Sequence, residues 1–193
     1  KDLSEPVKRL LNINQSEARF KTLRRLVGTD IKHEVRRRQD VDAIFMASFA
    51  GQARALRPQL RFHRASRVPV YATSHVYSGV PDADQDRDID GVTFGDMPWI
   101  LTPQSAESRL RIALDTHWTT AMRGYSRLFA LGADAASLVE RVATLRTQPQ
   151  QSFEGQTGVL TVGEGNIVVR GLRWAKFTNG LPELLDTAVS MSS

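Results

Sequence analysis

Apolar residues first recur at helical spacing near the start of the chain. Phe20, Leu23, Leu26 and Val27 fall on one face of a helix that begins near Ser16 and stops at Gly28. A shorter helix precedes it, from about Ser4 to Asn12. Ser4 can cap it, and Pro6 sits in the first turn, where a missing N–H costs nothing. The pattern changes at Val41. "VDAIFMAS" (Val41–Ser48) is a near-continuous apolar run rich in branched and aromatic residues, which predicts a strand buried on both faces of a parallel sheet. Helical spacing returns over Gly51–Ala65, where Pro58 is expected to kink or divide the helix. "VPVYATS" (Val68–Ser74) is a second strand with a proline near its start. Strand, helix and strand at these distances predict a βαβ unit with a right-handed crossover.

From Gly79 to Asp90 no period is visible. "GVTFGDMPWIL" then reads as a third extended segment. Beyond it the chain turns helical. Ser105–Ala121 is amphipathic, with Leu110, Leu114, Trp118 and Ala121 in register, and Tyr125–Leu131 and Ala133–Leu145 read as two further helices broken at Gly132. Thr147–Gly155 is a polar linker containing Pro149. "TGVLTVGEGNIVVRGLRWAKF" alternates apolar and polar residues around Gly163-Glu164-Gly165-Asn166, the pattern of a β-hairpin. The sum is an α/β chain with an added hairpin. Trp99, Trp118 and Trp174 are expected in its core.

Composition narrows the class. The 193 residues suffice for one large domain or two small lobes, and 41% hydrophobic with 24% charged residues is an ordinary globular balance. No apolar run approaches the ~20 residues of a membrane span. With no cysteine, disulfides, Cys-ligated zinc and thiol catalysis are excluded from these residues. The net charge of +5 is uneven: Lys1–Arg67 holds 16 Lys and Arg against 7 Asp and Glu. Such an excess suits nucleic acid, an anionic membrane surface, an acidic protein partner or a solvated face. Arg36-Arg37-Arg38 is too short, and too far from aromatics, to argue for nucleic acid by itself.

The acids concentrate elsewhere. Asp82, Asp84, Asp86, Asp88 and Asp90 occupy alternate positions, and Asp86-x-Asp88-x-Asp90-Gly91 matches the first half of a calcium loop. Counting from Asp86, the twelfth position is Met97, which offers no oxygen where an EF-hand requires a bidentate Glu. A looser calcium site on Asp86, Asp88 and Asp90 stays open beside a polar loop whose aspartates favour turns. The four histidines, His33, His63, His75 and His117, include no i, i+4 pair. Ser74-His75 near Asp82 lacks a G-x-S-x-G elbow, and "GEGN" sits in a hairpin turn rather than between a strand and a helix. No catalytic set or cofactor loop is assembled, which turns attention to binding.

Three stretches together carry a resemblance: "RRRQDVDAIFMAS", "RVPVYATSHVYSGVPDADQDRDIDGVTFGDMPW" and "GQTGVLTVGEGNIVVRGLRWAKFTNGLP". From Lys1 to about Leu185 the chain resembles the C-terminal domain of the LppC/LpoA family, bacterial outer-membrane lipoproteins that activate class A penicillin-binding proteins. The resemblance implies a type I periplasmic solute-binding-protein fold, two Rossmann-like α/β lobes joined by crossing strands, here as an incomplete C-terminal portion. On that pattern residues 1–91 are mostly the second lobe and 92–104 cross between lobes. Residues 105–150 give first-lobe helices, 151–185 a crossing hairpin and 186–193 a tail. It also implies no enzymatic activity, no cofactor and no nucleic acid. The implied partner is a peptidoglycan synthase, met in the periplasm from an outer-membrane lipid anchor upstream. Arg36, Arg37 and Arg38 are then candidates for a partner or surface contact. The alternative is a small-molecule or wall-fragment module, whose cleft would need polar groups at strand ends. Ser74, His75, Tyr77, Ser78, Asp96 and Trp99 are the candidates for that role.

Overall fold

The computed structural model describes residues 3–28, 34–102, 109–148 and 150–185. His33, the expected helix start at Ser105 and the tail 186–193 lie outside them. Two helices come first, α1 (Ser4–Leu10) and α2 (Ile13–Val27). Gly28 closes α2 in the left-handed conformation, φ 69°, which a glycine adopts without strain. The expected apolar face of α2 is not covered: Leu23, Leu26 and Val27 are all exposed, and α2 buries Ile13 and Ser16 instead.

Strand β1 spans only Ile44–Met46 and is followed by α3 (Ala50–Leu60) and β2 (Val70–Ala72). β1 and β2 pair in parallel, Ile44 opposite Val70 and Met46 opposite Ala72, as the βαβ reading expects. The expected burial on both faces is corrected. Ile44 and Met46 are buried while Phe45 is 72% exposed, so the strand has one covered face. Pro58 lies inside α3 without ending it; the break falls later, in the π-turn Arg61–Ala65, where Arg64 has φ 64°.

The acidic stretch is more ordered than its composition suggests. Asp82 caps a short helix α4 (Ala83–Asp86) by accepting the Gln85 N–H at 3.1 Å, and a 3₁₀ turn, Arg87–Ile89, follows. "GVTFGDMPWIL" is not one extended segment: β3 (Val92–Asp96) ends before Pro98, which opens the short helix α5 (Pro98–Leu101). Further on come α6 (Arg109–His117) and α7 (Thr119–Thr147). α7 is continuous through Gly132; its irregularity is at Tyr125, φ −120°. The rest is extended: β4 (Phe153–Glu154), β5 (Val159–Val162), β6 (Val168–Gly171), β7 (Arg173–Thr178) and β8 (Leu181–Leu184). The hairpin at Gly163–Asn166 forms as expected, joining β5 to β6 with Val162 opposite Val168. Of the three tryptophans only Trp99 is core; Trp118 and Trp174 are exposed.

The sheets run β1-β2-β3-β7-β8 and β4-β5-β6. The chain divides into two compact units. The first is Lys1–Val76, Asp82–Thr93 and Phe177–Leu181; the second is Tyr77–Pro81, Phe94–Lys176 and Pro182–Ser193. The chain leaves the first unit within β3 and re-enters it within β7. In the first unit Val70, Val76, Ile89, Val92 and Phe177 are essentially sealed from solvent. In the second, Phe94, Trp99, Ile100, Leu114, Met122, Leu145 and Leu160 form the core.

Asn179 and Gly180 turn β7 into β8 with φ 53° and 76°, the signs a two-residue hairpin loop of type I′ demands. A Cβ on Gly180 would lie 2.1 Å from the Ala83 carbonyl oxygen. Left-handed strain alone costs about 1–2 kcal/mol, and a backbone oxygen cannot swing aside. Gly180→Ala is expected to lower the unfolding free energy by about 2 kcal/mol or more, read from a denaturant midpoint. An unchanged midpoint would show that the turn relaxes freely.

Candidate functional site

The acidic run is built into the first unit as an anchor. Arg54, Arg57 and Arg61 project from α3 and the turn after it, at the i, i+3, i+7 spacing of one helix face. Arg54 grips the Asp86 carboxylate, Nε at 2.9 Å and Nη2 at 2.8 Å from Oδ1, and donates to Gln85 Oε1 at 2.6 Å. Asp86 is fully buried and its Oδ2 finds no hydrogen-bond partner among the described residues. Burial therefore pushes its carboxyl above the ordinary carboxylate range, against the pull of Arg54. Arg61 donates to the Asp90 carbonyl at 2.7 Å, and Asp90 Oδ1 accepts the Gly180 N–H at 2.8 Å. Gly91 N–H donates to the Phe177 carbonyl at 2.8 Å. Arg57 lies buried beside this loop, its guanidinium shifted down by desolvation and by Arg61.

These contacts correct two expectations. Asp86 and Asp90 are not solvated turn formers: Arg54 holds one carboxylate oxygen of Asp86 and the Gly180 N–H one of Asp90, rather than the pair facing a calcium ion. Among the described residues no three acidic or histidine side chains come together closely enough to hold a metal ion.

The second unit contains a cavity of about 330 Å³. Ser78 and Gly79 line one side, Arg111 and Asp115 of α6 another, and Tyr125, Ser126 and Arg127 of α7 a third. Asp96 lies at the end of β3, fully buried. Its Oδ2 accepts from Arg127 Nη2 at 2.5 Å and its Oδ1 from the Met97 N–H at 2.8 Å. The same Arg127 nitrogen donates to the Tyr77 carbonyl at 3.1 Å, so one guanidinium ties β3 to the 77–81 loop. Trp99 donates its indole N–H to Ser126 Oγ at 2.8 Å, and the Arg111 guanidinium lies 4.8 Å from the Trp99 ring centre while donating to the Trp99 carbonyl. Deeper in the unit, Asp134 of α7 accepts the Gln156 and Thr157 N–H groups, each at 2.7 Å, and so pins α7 to the turn before β5.

Four of the six cleft candidates, Tyr77, Ser78, Asp96 and Trp99, thus fall in the second unit, three of them buried and only Ser78 open to the cavity. Ser74 and His75 belong to the first unit, in the 3₁₀ turn Ser74–Val76, with His75 exposed and edge-on to Phe49. Sequence reasoning does not single out Arg54, Arg111, Ser126 or Arg127. The Arg54–Arg57–Arg61 periodicity is nonetheless visible in the sequence. Arg127 lies about thirty positions from Asp96, and only a fold brings them together.

The three consecutive arginines separate in role. Arg37 donates to the Arg64 and Arg38 carbonyls, at 3.0 and 2.7 Å, so its guanidinium holds backbone. Arg38 makes a two-pronged pair with Asp40, at 2.7 and 2.6 Å, which draws the Asp40 carboxyl down to about 2. Arg36 is the most open, its side chain 78% exposed and 3.9 Å from Glu34. All three border a shallow groove of about 370 Å³ with Asn12, Gln15 and Arg19.

A parallel βαβ unit followed by strands that leave one compact unit and return to it is the architecture of type I periplasmic solute-binding proteins. The C-domain of LpoA (YraM) from Haemophilus influenzae, described as a regulator of PBP1A, superposes with a TM-score of 0.64 at 21% identity, covering 84% of this chain and 54% of that one. A "putative branched-chain amino acid ABC transporter" from Chromobacterium violaceum follows the same fold, with a TM-score of 0.52 and 28% identity over 80% of this chain and 51% of the other. A model of the family described as "LppC putative lipoprotein" matches residues 1–180, and the chain belongs to that family. It is 28% identical over 183 residues to the penicillin-binding protein activator LpoA of Photobacterium profundum. The match takes in 93% of this chain and 29% of that protein, so the chain spans less than a third of its relative.

Proposed function

We propose that this chain is the C-terminal part of a periplasmic protein that activates a class A penicillin-binding protein and so supports peptidoglycan synthesis. In this reading a lipid anchor elsewhere in the polypeptide holds it at the outer membrane, and it performs no chemistry itself. The family match over residues 1–180, with a relative named as a penicillin-binding protein activator, carries the reading. Among the described residues no helix is long and apolar enough to cross a membrane. Activation by contact requires the protein to bind the synthase's active conformation more tightly than its resting one. Adding the full-length protein to a purified class A synthase and its lipid-linked glycan precursor is expected to raise the rates of polymerisation and crosslinking. Unchanged rates at saturating protein would sink the reading.

The Arg36 groove is the proposed contact. Arg37 and Arg38 are engaged within the unit, so Arg36 is the position to reverse. Arg36→Glu is expected to weaken synthase binding about threefold to tenfold at low salt and to flatten its salt dependence, with folding unchanged. Equal affinity of the two proteins at low salt would remove Arg36 from the interface. The second reading, a small-molecule module, is favoured by the second-unit cavity, where Ser78, Arg111 and Tyr125 offer polar groups beside an apolar floor. A wall fragment that shifts the Trp99 indole N–H resonance would support it.

A further inference from the structure

The charge balance of the second-unit cavity selects its ligand. Among the described residues its charged walls are Arg111, Asp115 and Arg127, and Asp96 lies buried behind Arg127. Both guanidiniums are already met. Arg127 spends its fork on the Asp96 carboxylate and the Tyr77 carbonyl. Arg111 donates to the Trp99 carbonyl, lies 4.8 Å from the Trp99 ring centre and has Asp115 Oδ2 3.8 Å away. Two bases thus face two acids. A phosphate, a free carboxylate or an amino-acid zwitterion is held by an arginine whose fork is still open, and among the described residues this cavity presents none.

What the walls do offer suits a neutral ring rich in hydroxyl groups. Tyr125 lines the cavity and is 62% exposed. The face of an aromatic ring is electron-rich and attracts the polarised C–H bonds of a sugar laid on it. Asp115, also in the wall, has a side chain 54% exposed, and a carboxylate carries about four lone-pair sites, so it accepts hydroxyl protons beyond what Arg111 takes. Ser126 Oγ accepts the Trp99 indole N–H, which leaves its own hydroxyl hydrogen to donate. Ile100 and Met122 supply apolar wall, and at Gly124 the approach is open, with nothing within 4 Å of the place a Cβ would take. The volume of about 330 Å³ falls within the range of small-ligand pockets, ~300–1,000 Å³. We propose that this cavity binds a neutral saccharide, with Tyr125 stacking on the sugar ring and Asp115 accepting from its hydroxyl groups. The proposal rests on the small-molecule reading above and narrows its wall fragment to the sugar part, since the charged groups of a peptide part find no open partner here.

Saturation-transfer difference NMR on the full-length protein tests this, because it reads weak binding to a large protein from the ligand's side. The probes are chitotetraose, a neutral β-1,4-linked N-acetylglucosamine tetramer, and two ionic ones, L-leucine and inorganic phosphate. Chitotetraose is expected to receive saturation and the ionic probes none. Tyr125→Ala is expected to weaken chitotetraose binding about threefold to tenfold, while Tyr125→Phe keeps it, since the ring face and not the hydroxyl makes the stack. Asp115→Ala is expected to weaken it by about threefold or more. Both side chains are largely exposed, so all three variants should keep the unsubstituted denaturant midpoint, and Tyr125→Phe guards against a fold defect in the alanine variant. Leucine or phosphate binding that Tyr125→Ala abolishes, with no chitotetraose signal, overturns the saccharide proposal and leaves the small-molecule reading standing. Silence from all three probes overturns the proposal and takes that reading with it. Chitotetraose binding indifferent to Tyr125→Ala or to Asp115→Ala also overturns the proposal, since the sugar then sits elsewhere.

Discussion

Arg54→Ala is expected to cost about 2–4 kcal/mol of unfolding free energy at pH 7, and much less near pH 4. The reason is Asp86. Its side chain is 1% exposed and, among the described residues, its charge is met by Arg54, with one carboxylate oxygen already lacking a donor. Removing Arg54 leaves a buried ion that can escape only by taking a proton. Protonating a carboxyl of ordinary pKa at pH 7 costs about 1.4 kcal/mol for each of roughly three pH units, which sets a ceiling near 4 kcal/mol. As the pH falls towards the unfolded-state value that cost vanishes, so the penalty of the substitution falls with it.

The intact pair carries its own pH signature. Because burial raises the native carboxyl above its unfolded value, the native state holds the proton more tightly. Acidification through that native value therefore relieves a penalty that is fully present at higher pH. Relative to Asp86→Asn, which does not titrate and keeps an oxygen for Arg54, the unsubstituted protein is expected to gain stability as pH falls from 7 towards about 4. Denaturant midpoints across that range give both trends. A flat Arg54→Ala penalty, or a drift in favour of the Asp86→Asn variant on acidification, would show that Asp86 is solvated rather than buried. In the double variant Arg54→Ala with Asp86→Asn, part of the loss should return, since the two side chains act as one unit.

The acidic run shows where reading a sequence stops. Alternating aspartates before a glycine suggest a metal loop or a solvated turn, because composition cannot say which carboxylate faces inward. Asp86 turns inward because Asp82 caps α4 and sets its phase, and because Arg54 waits on α3, thirty-two positions away. The strand–helix–strand order, the hairpin at Gly163–Asn166 and the helix stop at Gly28 are legible, since period, turn residues and caps are local signals. β1 departs from expectation for a different reason. An apolar run states what a strand is able to bury, and Phe45 is exposed because nothing among the described residues lies across it. Gly132 weakens helix propensity and so suggests two helices, yet neighbours on both sides carry α7 through it while the irregularity falls at Tyr125. For the candidate cleft, Ser78, Asp96 and Trp99 stand out by position near strand ends. Their partners Arg127 and Ser126 sit on a helix that no local pattern connects to them.

Arg127→Ala is expected to be the second large loss, about 2–4 kcal/mol at pH 7, and to exceed Asp96→Asn. The asymmetry follows from exposure. Asp96 is 1% exposed and Arg127 33%, so losing the base strands a buried acid, whereas losing the acid leaves a base that still reaches water through the cavity. Asp96 is not wholly orphaned without Arg127, because the Met97 N–H still reaches Oδ1, which holds the loss below that of an ion with no donor at all. Arg127→Lys should recover less than half of the deficit. A lysine presents one nitrogen, and the native arginine spends its planar fork on the Asp96 carboxylate and the Tyr77 carbonyl together. With the 77–81 loop released from β3, the wall of the cavity that Ser78 and Gly79 supply should loosen. Faster hydrogen exchange across Tyr77–Val80 and a shifted Trp99 indole N–H resonance are expected in Arg127→Ala, with Gly91 and its neighbours in the first unit unaffected. If Asp96→Asn costs as much as Arg127→Ala, the charge is not what the pair protects, and the 77–81 loop must be held by packing instead.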